Sequence, residues 1–528
     1  MIIEPNSNIR ILKSDIELDE LNQLTFASKS VQESYFKSLP YIQIEDSSYQ
    51  RKEGVIRFPL GFDEAIQYNY VMYQNEDYSN KWFYAFITDC TYVNDETSFL
   101  KIETDVFQTW QFDIVYKPSF IEREMLSTSD DVMGANTQPE NLELGEYVNA
   151  TEPIQSTIGT NNYICISVAD DIIDSSQSNH IYNGIASGLI YMIVDNVNAL
   201  NFILKEYADK GKGENVVSIF MIPTEFLPSP TWINIPNSQL QYAYISDSTN
   251  SYNLTGVQIN TPTKLNNQFT PVNKKLLTFP YRYLLASNNA GVDVIYKYED
   301  FKFAGTTGIG FNVIGNINAG CSIKYVPTFY KGIENRNYEE SFNGAKFPVG
   351  SWINDVYTNW LTQNGLNIGI STAGNILQIV GGVSQLSGGA TAIQGASNIA
   401  SGISGIASTV AQIYQHSLAP NQVEGNVNSS DVMFGVRKSG ATFYNMSIKE
   451  EYARIIDNFF SMFGYKTNLV KLPNLNNRSN WNYVKTINCN LLGDIPQKDM
   501  QKLKEIFNNG ITLWHNPSTF LDYSQTNS

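Results

Sequence analysis

The sequence predicts a mainly β protein with some α, and three observations predict it. Short β-branched and aromatic runs bounded by polar turns fill the first 120 residues. Chain-wide, 32 Tyr and 28 Phe supply residues that favour strands. Helical periodicity stands out in two segments near the end and in one uncharged stretch before them. Changes of texture divide the chain at 1–150, 151–355, 356–423 and 424–528, consistent with roughly three and a half units for 528 residues. Intrinsic disorder as the general state is excluded by 42% hydrophobic and 13% aromatic content.

In the first part, the run WFYAFITDCT (82–91) continues through Tyr92 and Val93, meets the turn Asn94-Asp95-Glu96, and resumes over Phe99 to Val106. That pattern is a long hairpin. Aromatic residues at successive positions imply that both strand faces are covered, as in a barrel wall or a sheet packed on neighbouring subunits.

Over 151–355 Asn, Ser, Thr and Pro become frequent and the apolar runs shorten, as in Tyr163 to Val168 and Leu189 to Val194. This is a second, mostly β domain inserted into the chain. Its Pro-containing stretches, Pro228-Ser229-Pro230 and Pro262 to Pro271, fit loops between strands. The glycines of 305–320 match neither GxGxxG nor GxxxxGK[ST], so bulged strands and turns explain them better than a phosphate loop.

Residues 356–423 carry no Asp, Glu, Lys or Arg, where a chain with 16% charged residues would place about eleven. Gly374, Gly381, Gly388, Gly395 and Gly402 recur every seven residues, and helix-length segments flank the pair Gly388-Gly389. At 100° per residue, Leu366, Ile370, Ile376, Leu377, Val380 and Val383 gather on one side, opposite Asn367, Ser371, Asn375 and Gln378. Ile399, Ile403, Ile406, Val410 and Ile413 oppose Gln394, Asn398, Ser401, Ser408 and Gln412 in the same way. The expected element is a long hydrophobic helical or loop hairpin, amphipathic without a charge. Twenty-one residues of helix span about 30 Å, the thickness of a bilayer's hydrocarbon. Its polar Asn, Gln, Ser and glycine content argues against permanent membrane residence, and its lack of charge favours conditional insertion. A permanent plug or a buried subunit-interface core is the alternative.

The last hundred residues regain ordinary composition. IKEEYARIIDNFFSMF (448–463) places Tyr452, Ile455, Ile456, Phe459, Phe460 and Phe463 on one stripe, with Glu450, Glu451 and Asp457 outside. Gly464 is the expected C-cap. A second helix over Pro496 to Asn509 ends at Gly510 and leads into the strand Ile511 to Trp514.

The net charge of −17 excludes general adhesion to nucleic acid through counterion release. Cys90, Cys165, Cys321 and Cys489 suit neither a metal knuckle nor a disulfide framework and are expected as free thiols of a chain folded in a reducing cytosol. No signal-peptide pattern is visible at MIIEPNSNIR. His180, His416 and His515 lack metal-ligand spacing, and no GxSxG elbow is present. The pairs Asp130-Asp131 and Asp170-Asp171 fit solvated turns better than a calcium loop. The reading is therefore no enzyme, with no catalytic residue, metal or cofactor.

Two sets of segments carry a resemblance. VMYQNEDYSNKWFYAFIT (71–88), KIETDVFQTWQFDI (101–114) and SFIERE (119–124) are followed near the C-terminus by FGYK (463–466), KLPNL (471–475), WNYVKT (481–486) and IFNNGITLWH (506–515). In this order they resemble the tail-knob, or distal tail-tube, proteins of short-tailed bacteriophages with protein-primed genomes, of the phi-twenty-nine-like picovirus type. The resemblance covers about the first 150 and last 100 residues. It implies a β-rich tail-tube domain in a homohexameric ring at the distal end of the virion tail, assembled in the host cytoplasm. It also implies loops that plug the lumen, and the uncharged segment stands where the family carries them. On infection such loops enter the host cytoplasmic membrane and form a channel for genome ejection. The implied partners are the other copies and the neighbouring tail proteins (upper tube or collar, fibres and tip hydrolase). Phage DNA would pass through a neutral to acidic lumen without specific binding. A receptor-binding or cell-wall-degrading tail protein is the alternative, but neither fibre repeats nor an acid/base or Cys/His pair stands out.

Overall fold

The computed structural model describes residues 7–45, 54–75, 79–126, 136–351 and 440–527, apart from 157, 159–160, 175–180, 183–184, 187–188, 246–252, 267, 290, 302–308, 318–319, 334–336 and 345–348. The chain forms two units, one from Met1–Gly145, Thr270–Pro280 and Lys449–Ser528, the other from Glu146–Phe269 and Tyr281–Ile448. The β-dominated reading agrees with this architecture. The unit boundaries differ from the compositional ones. Thr442–Ile448 lies inside a sheet of the second unit, and Thr270–Pro280 joins the first. Non-local strand pairing decides the first, and polar contacts of Val272, Asn273 and Lys275 with Asp457 and Glu140 decide the second; composition records neither.

In the first unit, the long hairpin consists of Phe83–Asn94 and Thr97–Thr104, closed at Asn94↔Thr97 around Asp95 and Glu96. It sits in a six-stranded antiparallel sheet ordered Tyr41–Glu45, Ser7–Leu12, Tyr70–Asn75, Phe83–Asn94, Thr97–Thr104, Val55–Phe58. Phe83, Tyr84 and Ala85 are buried as expected, but the strand is largely exposed from Asp89 to Asn94. Along Thr97–Thr104, Leu100 and Ile102 turn inward while Phe99 and Lys101 turn out, the period of two that the pleat imposes.

A second sheet runs Asn22–Leu24, Ile511–Trp514, Trp481–Ile487, Ser119–Glu124, Tyr465–Lys471, and joins the two ends of the sequence. Asn22–Leu24 pairs with Ile511–Trp514 in parallel. Ile9, Leu100, Val484 and Leu513 belong to one core, so sequence-distant segments close the unit. Burying each such side chain contributes about 1.5 to 3 kcal/mol. Trp481 and Trp514, fully buried with ring centroids 5.0 Å apart, fill a neighbouring cluster.

The helix Glu450–Phe463 forms where the periodicity places it and stops at Gly464. Its buried side differs from the predicted stripe. Ala453, Ile456, Asp457 and Phe460 are buried, whereas Ile455 is 66% exposed. The segment Thr270–Pro280 explains the rotation: Val272 and Asn273 donate their backbone N–H groups to the Asp457 carboxylate, each at 2.9 Å, and the Asn273 side chain adds a bond at 2.8 Å. A carboxylate with that many donors is satisfied inside the unit. The helix Gln497–Asn509 ends at Gly510 and leads into Ile511–Trp514, as expected.

In the second unit, Ile233–Asn234, Gln241–Tyr244, Ile190–Val194, Asn162–Val168, Val216–Pro223 and Val349–Ser351 form a six-stranded sheet covered by the helix Val197–Asp209. Asn253–Ile259, Ile309–Ile317, Cys321–Pro327 and Phe342–Asn343 form a second sheet. Tyr147–Asn149, Thr442–Ile448, Arg282–Ser287 and Asp293–Tyr296 form a third, and Ile154–Gln155 also pairs with Thr442–Ile448. One aromatic core, including Phe220, Phe311, Tyr325 and Phe443, joins the three.

Candidate functional site at the root of the uncharged segment

The second unit holds both flanks of the uncharged segment. Upstream, Val349–Ser351 is an edge strand with the register Phe220↔Val349, Ile219↔Gly350 and Ser218↔Ser351. Downstream, Gly440 and Ala441 lead into Thr442–Ile448, which pairs with Arg282–Ser287 over its full length. Gly344, upstream of that edge strand, and Gly440 converge on the side chains of Ile323 and Tyr325. A Cβ at Gly344 would fall 2.7 Å from Ile323 Cγ1, 2.9 Å from Tyr325 Cε2 and 3.0 Å from the carbonyl oxygen of Gly440. A Cβ at Gly440 would collide with Ile323 Cδ1 and come within 2.8 Å of the Tyr325 hydroxyl. Both positions therefore need glycine for close approach. Ile323 and Tyr325 are themselves buried, Phe443 packs on Tyr325 at 5.9 Å between ring centroids, and Ser156 N–H donates to the Ala441 carbonyl at 3.0 Å. Chain upstream of the uncharged segment at Gly344 and downstream of it at Gly440 is thus packed against the same two side chains.

Burial raises the Tyr325 hydroxyl pKa above that of an ordinary tyrosine, so the root carries no ionised group there at neutral pH. Nothing local in the sequence marks Ile323 or Tyr325, because their contact with Gly440 joins residues more than a hundred positions apart. The only signal is a glycine on either flank. The proposed membrane-active residues, from Leu366, Ile370 and Ile376 through Gly388 and Gly389 to Ile406, Val410 and Ile413, lie outside the described residues. So do Asp130, Asp131, His180 and His416.

Among the described residues, no group of three His, Cys, Asp or Glu side chains is placed to hold a metal, and no helix is long and apolar enough to cross a membrane. Cys165, Cys321 and Cys489 are buried and burial raises the pKa of each thiol; Cys90 is half-buried. Asp171 forms a turn, accepting the N–H groups of Ile173 and Asp174 and the hydroxyl of Tyr244. Asp105 caps the helix Val106–Trp110 and accepts from Phe107, Gln108, Gln23 and Tyr70, yet burial pushes its carboxyl up to about 6.

His515 bridges Thr25 Oγ1 at 2.8 Å and Asn482 Oδ1 at 2.9 Å through its two ring nitrogens. Burial lowers its pKa, so the folded state favours the neutral ring. This contribution to stability is present above the unfolded imidazole pKa of about 6.5 and is lost as pH falls through the folded value. Thermal unfolding followed from pH 8 to pH 5 should show a decline that His515→Asn flattens.

The comparisons with known proteins agree with this architecture. A family model of the C-terminal domain of the Bacillus phage phi29 tail knob protein gp9 matches residues 241–528, more than half of the chain. The chain belongs to the phi29 tail knob family. A model of the N-terminus of caudoviral major tail proteins matches residues 5–117, within the first unit. The tail knob protein gp9 of Bacillus phage B103 is 27% identical, with 93% of each chain covered. Those of phages PZA and phi29 are 25% and 24% identical, with 96% of each chain covered. Among solved structures, the tail knob protein gp12 of bacteriophage C1 superposes with a TM-score of 0.64 at 16% identity, covering 98% of both chains, which shows a shared fold. The chain is thus a structural protein of a phage tail knob, and the resemblance carried by the N- and C-terminal motifs holds over nearly the whole length.

Proposed function

We propose that six copies form the distal tube of the tail knob, that the uncharged segments of the six occupy its lumen, and that on infection they leave it, enter the host cytoplasmic membrane and open a channel for the genome. The observation that carries this reading is the charge-free run 356–423, with Gly344 before it and Gly440 after it packed on the same two buried side chains of the described fold. Such an insertion can change surroundings without unfolding the sheets that hold it. No Lys or Asp has to cross the hydrocarbon, where each would cost about 2.5 to 3.5 kcal/mol at a helix centre. Assembly in the host cytoplasm and docking to the upper tube or collar, fibres and tip hydrolase belong to the same proposal.

The test is dye release from liposomes by the purified full chain after brief destabilisation of the assembly. The parent is expected to release dye. Ile403→Asp with Ile406→Asp is expected to give the parent's assembly and at least roughly tenfold less release, because two added charges bring about 5 to 7 kcal/mol of insertion cost to each copy. Equal release by parent and variant would leave the segment as a plug without a membrane role.

A further inference from the structure

The two flanks of the uncharged segment are held unequally. Downstream, Thr442–Ile448 is an inner strand, paired over six positions with Arg282–Ser287 on one side and with Tyr147–Asn149 and Ile154–Gln155 on the other. Ser447 and Asn445 add side-chain bonds to Asn266 and Thr151, at 2.7 Å and 2.6 Å. Upstream, Val349–Ser351 is paired over three positions and ends its sheet. Its one partner strand among the described residues, Val216–Pro223, is paired over seven positions with Asn162–Val168 on its other side, and so keeps its place without it. A pull on the segment therefore meets a short edge pairing at one end and a strand locked from both sides at the other.

Chain length separates the two ends further. A Cβ at Gly344 would stand 3.0 Å from the Gly440 carbonyl oxygen, so behind the edge strand the two flanks start from adjoining positions. Between Ile413 and Gly440 lie 26 residues, and between Gly344 and Leu366 lie 21. Fully extended, these arms reach at most about 90 Å and 70 Å. With Val349–Ser351 still paired, the upstream arm begins after Ser351 and has 14 residues, at most about 50 Å. A hairpin reaches only as far as its shorter arm allows, so the three-residue pairing withholds about 20 Å.

We propose that Val349–Ser351 is a releasable clasp, paired with Val216–Pro223 before infection and detached from it when the uncharged segment leaves, after which the segment hangs from Gly344 and Gly440. The proposal rests on the release reading given above and deepens it by naming the element that lets go. An edge strand leaves without disturbing the ladder behind it, because its backbone bonds run to one neighbour alone. The other five strands of that sheet keep their pairing, and Thr442–Ile448 stays in place because strands on both sides hold it.

The experiment uses the full chain with Ser218→Cys and Ser351→Cys, positions directly opposite in register, in the liposome dye-release assay. Oxidised glutathione joins the two thiols in a disulfide, itself reduced to two molecules of glutathione, and dithiothreitol reverses the bond. The reduced variant is expected to assemble and release dye as the parent does. The oxidised variant is expected to assemble equally and to release at least roughly tenfold less dye than the parent given the same oxidant, because a clasp that cannot open keeps the upstream arm short. Parent-like release by the oxidised variant overturns the clasp and leaves the channel reading standing, whereas no release by the parent overturns both. Hydrogen exchange on the parent decides the question even where the cysteine pair fails to fold. On release, Ser218–Phe220 should lose protection at least roughly tenfold while Asn162–Val168 keeps its own. Unchanged protection across Val216–Pro223 overturns the clasp.

Discussion

Glu140→Ala should be among the most damaging single substitutions in the first unit, costing about 3 to 5 kcal/mol. The Glu140 side chain is fully buried and lies against both Lys275 and Arg123. It also accepts the Lys466 backbone N–H at 2.8 Å. Burial pushes the Lys275 ammonium down to about 8 even with this carboxylate beside it. Without Glu140, Lys275 and Arg123 confront each other in a site of low dielectric, and the Lys466 N–H loses its acceptor. For a unit of this size the melting temperature should fall by roughly 10 °C. Glu140→Leu combined with Lys275→Met should recover most of the loss, because removing a buried pair together is far cheaper than removing one partner. A melting temperature unchanged by Glu140→Ala would mean that water reaches the site and screens the charges.

Gly464→Ala should be comparably severe. Gly464 ends the helix Glu450–Phe463 at φ 64° and ψ −156°, a region essentially reserved for glycine. A Cβ there would collide with the backbone carbonyl of Glu124, part of a strand rather than a movable side chain. Conformational strain alone costs about 1 to 3 kcal/mol, and displacing Ser119–Glu124 from its register with Trp481–Ile487 and Tyr465–Lys471 adds to it. The expected total is about 3 kcal/mol or more, read as a lowered urea midpoint. Gly291→Ala serves as a comparison: at φ 97° an added Cβ would meet open space, so strain acts there without collision.

What the sequence displayed directly was local. The hairpin around Asp95 and Glu96, the two C-terminal helices with their closing glycines and the strand Ile511–Trp514 all follow from periodicity and turn chemistry over short windows. What it concealed was non-local. Asp457 looked like a solvated helix charge until Val272 and Asn273, nearly two hundred residues earlier, supplied its donors. Glu140 gave no sign that Lys275 would meet it, and Ile323 and Tyr325 gave none that Gly344 and Gly440 would both pack on them. The segment itself was conspicuous because its signal is compositional. An absence of charge over 356–423 needs no knowledge of the fold to be seen.

The central claim is that this segment makes the tail knob a membrane channel, and conductance across a planar lipid bilayer tests it most directly. Purified full chain added to one side should produce discrete steps of a pore wide enough for duplex DNA, while the same chain lacking residues 366–413 should assemble normally and conduct nothing. Equal conductance from the two chains, or none from the full chain under conditions that release the segment, would contradict it.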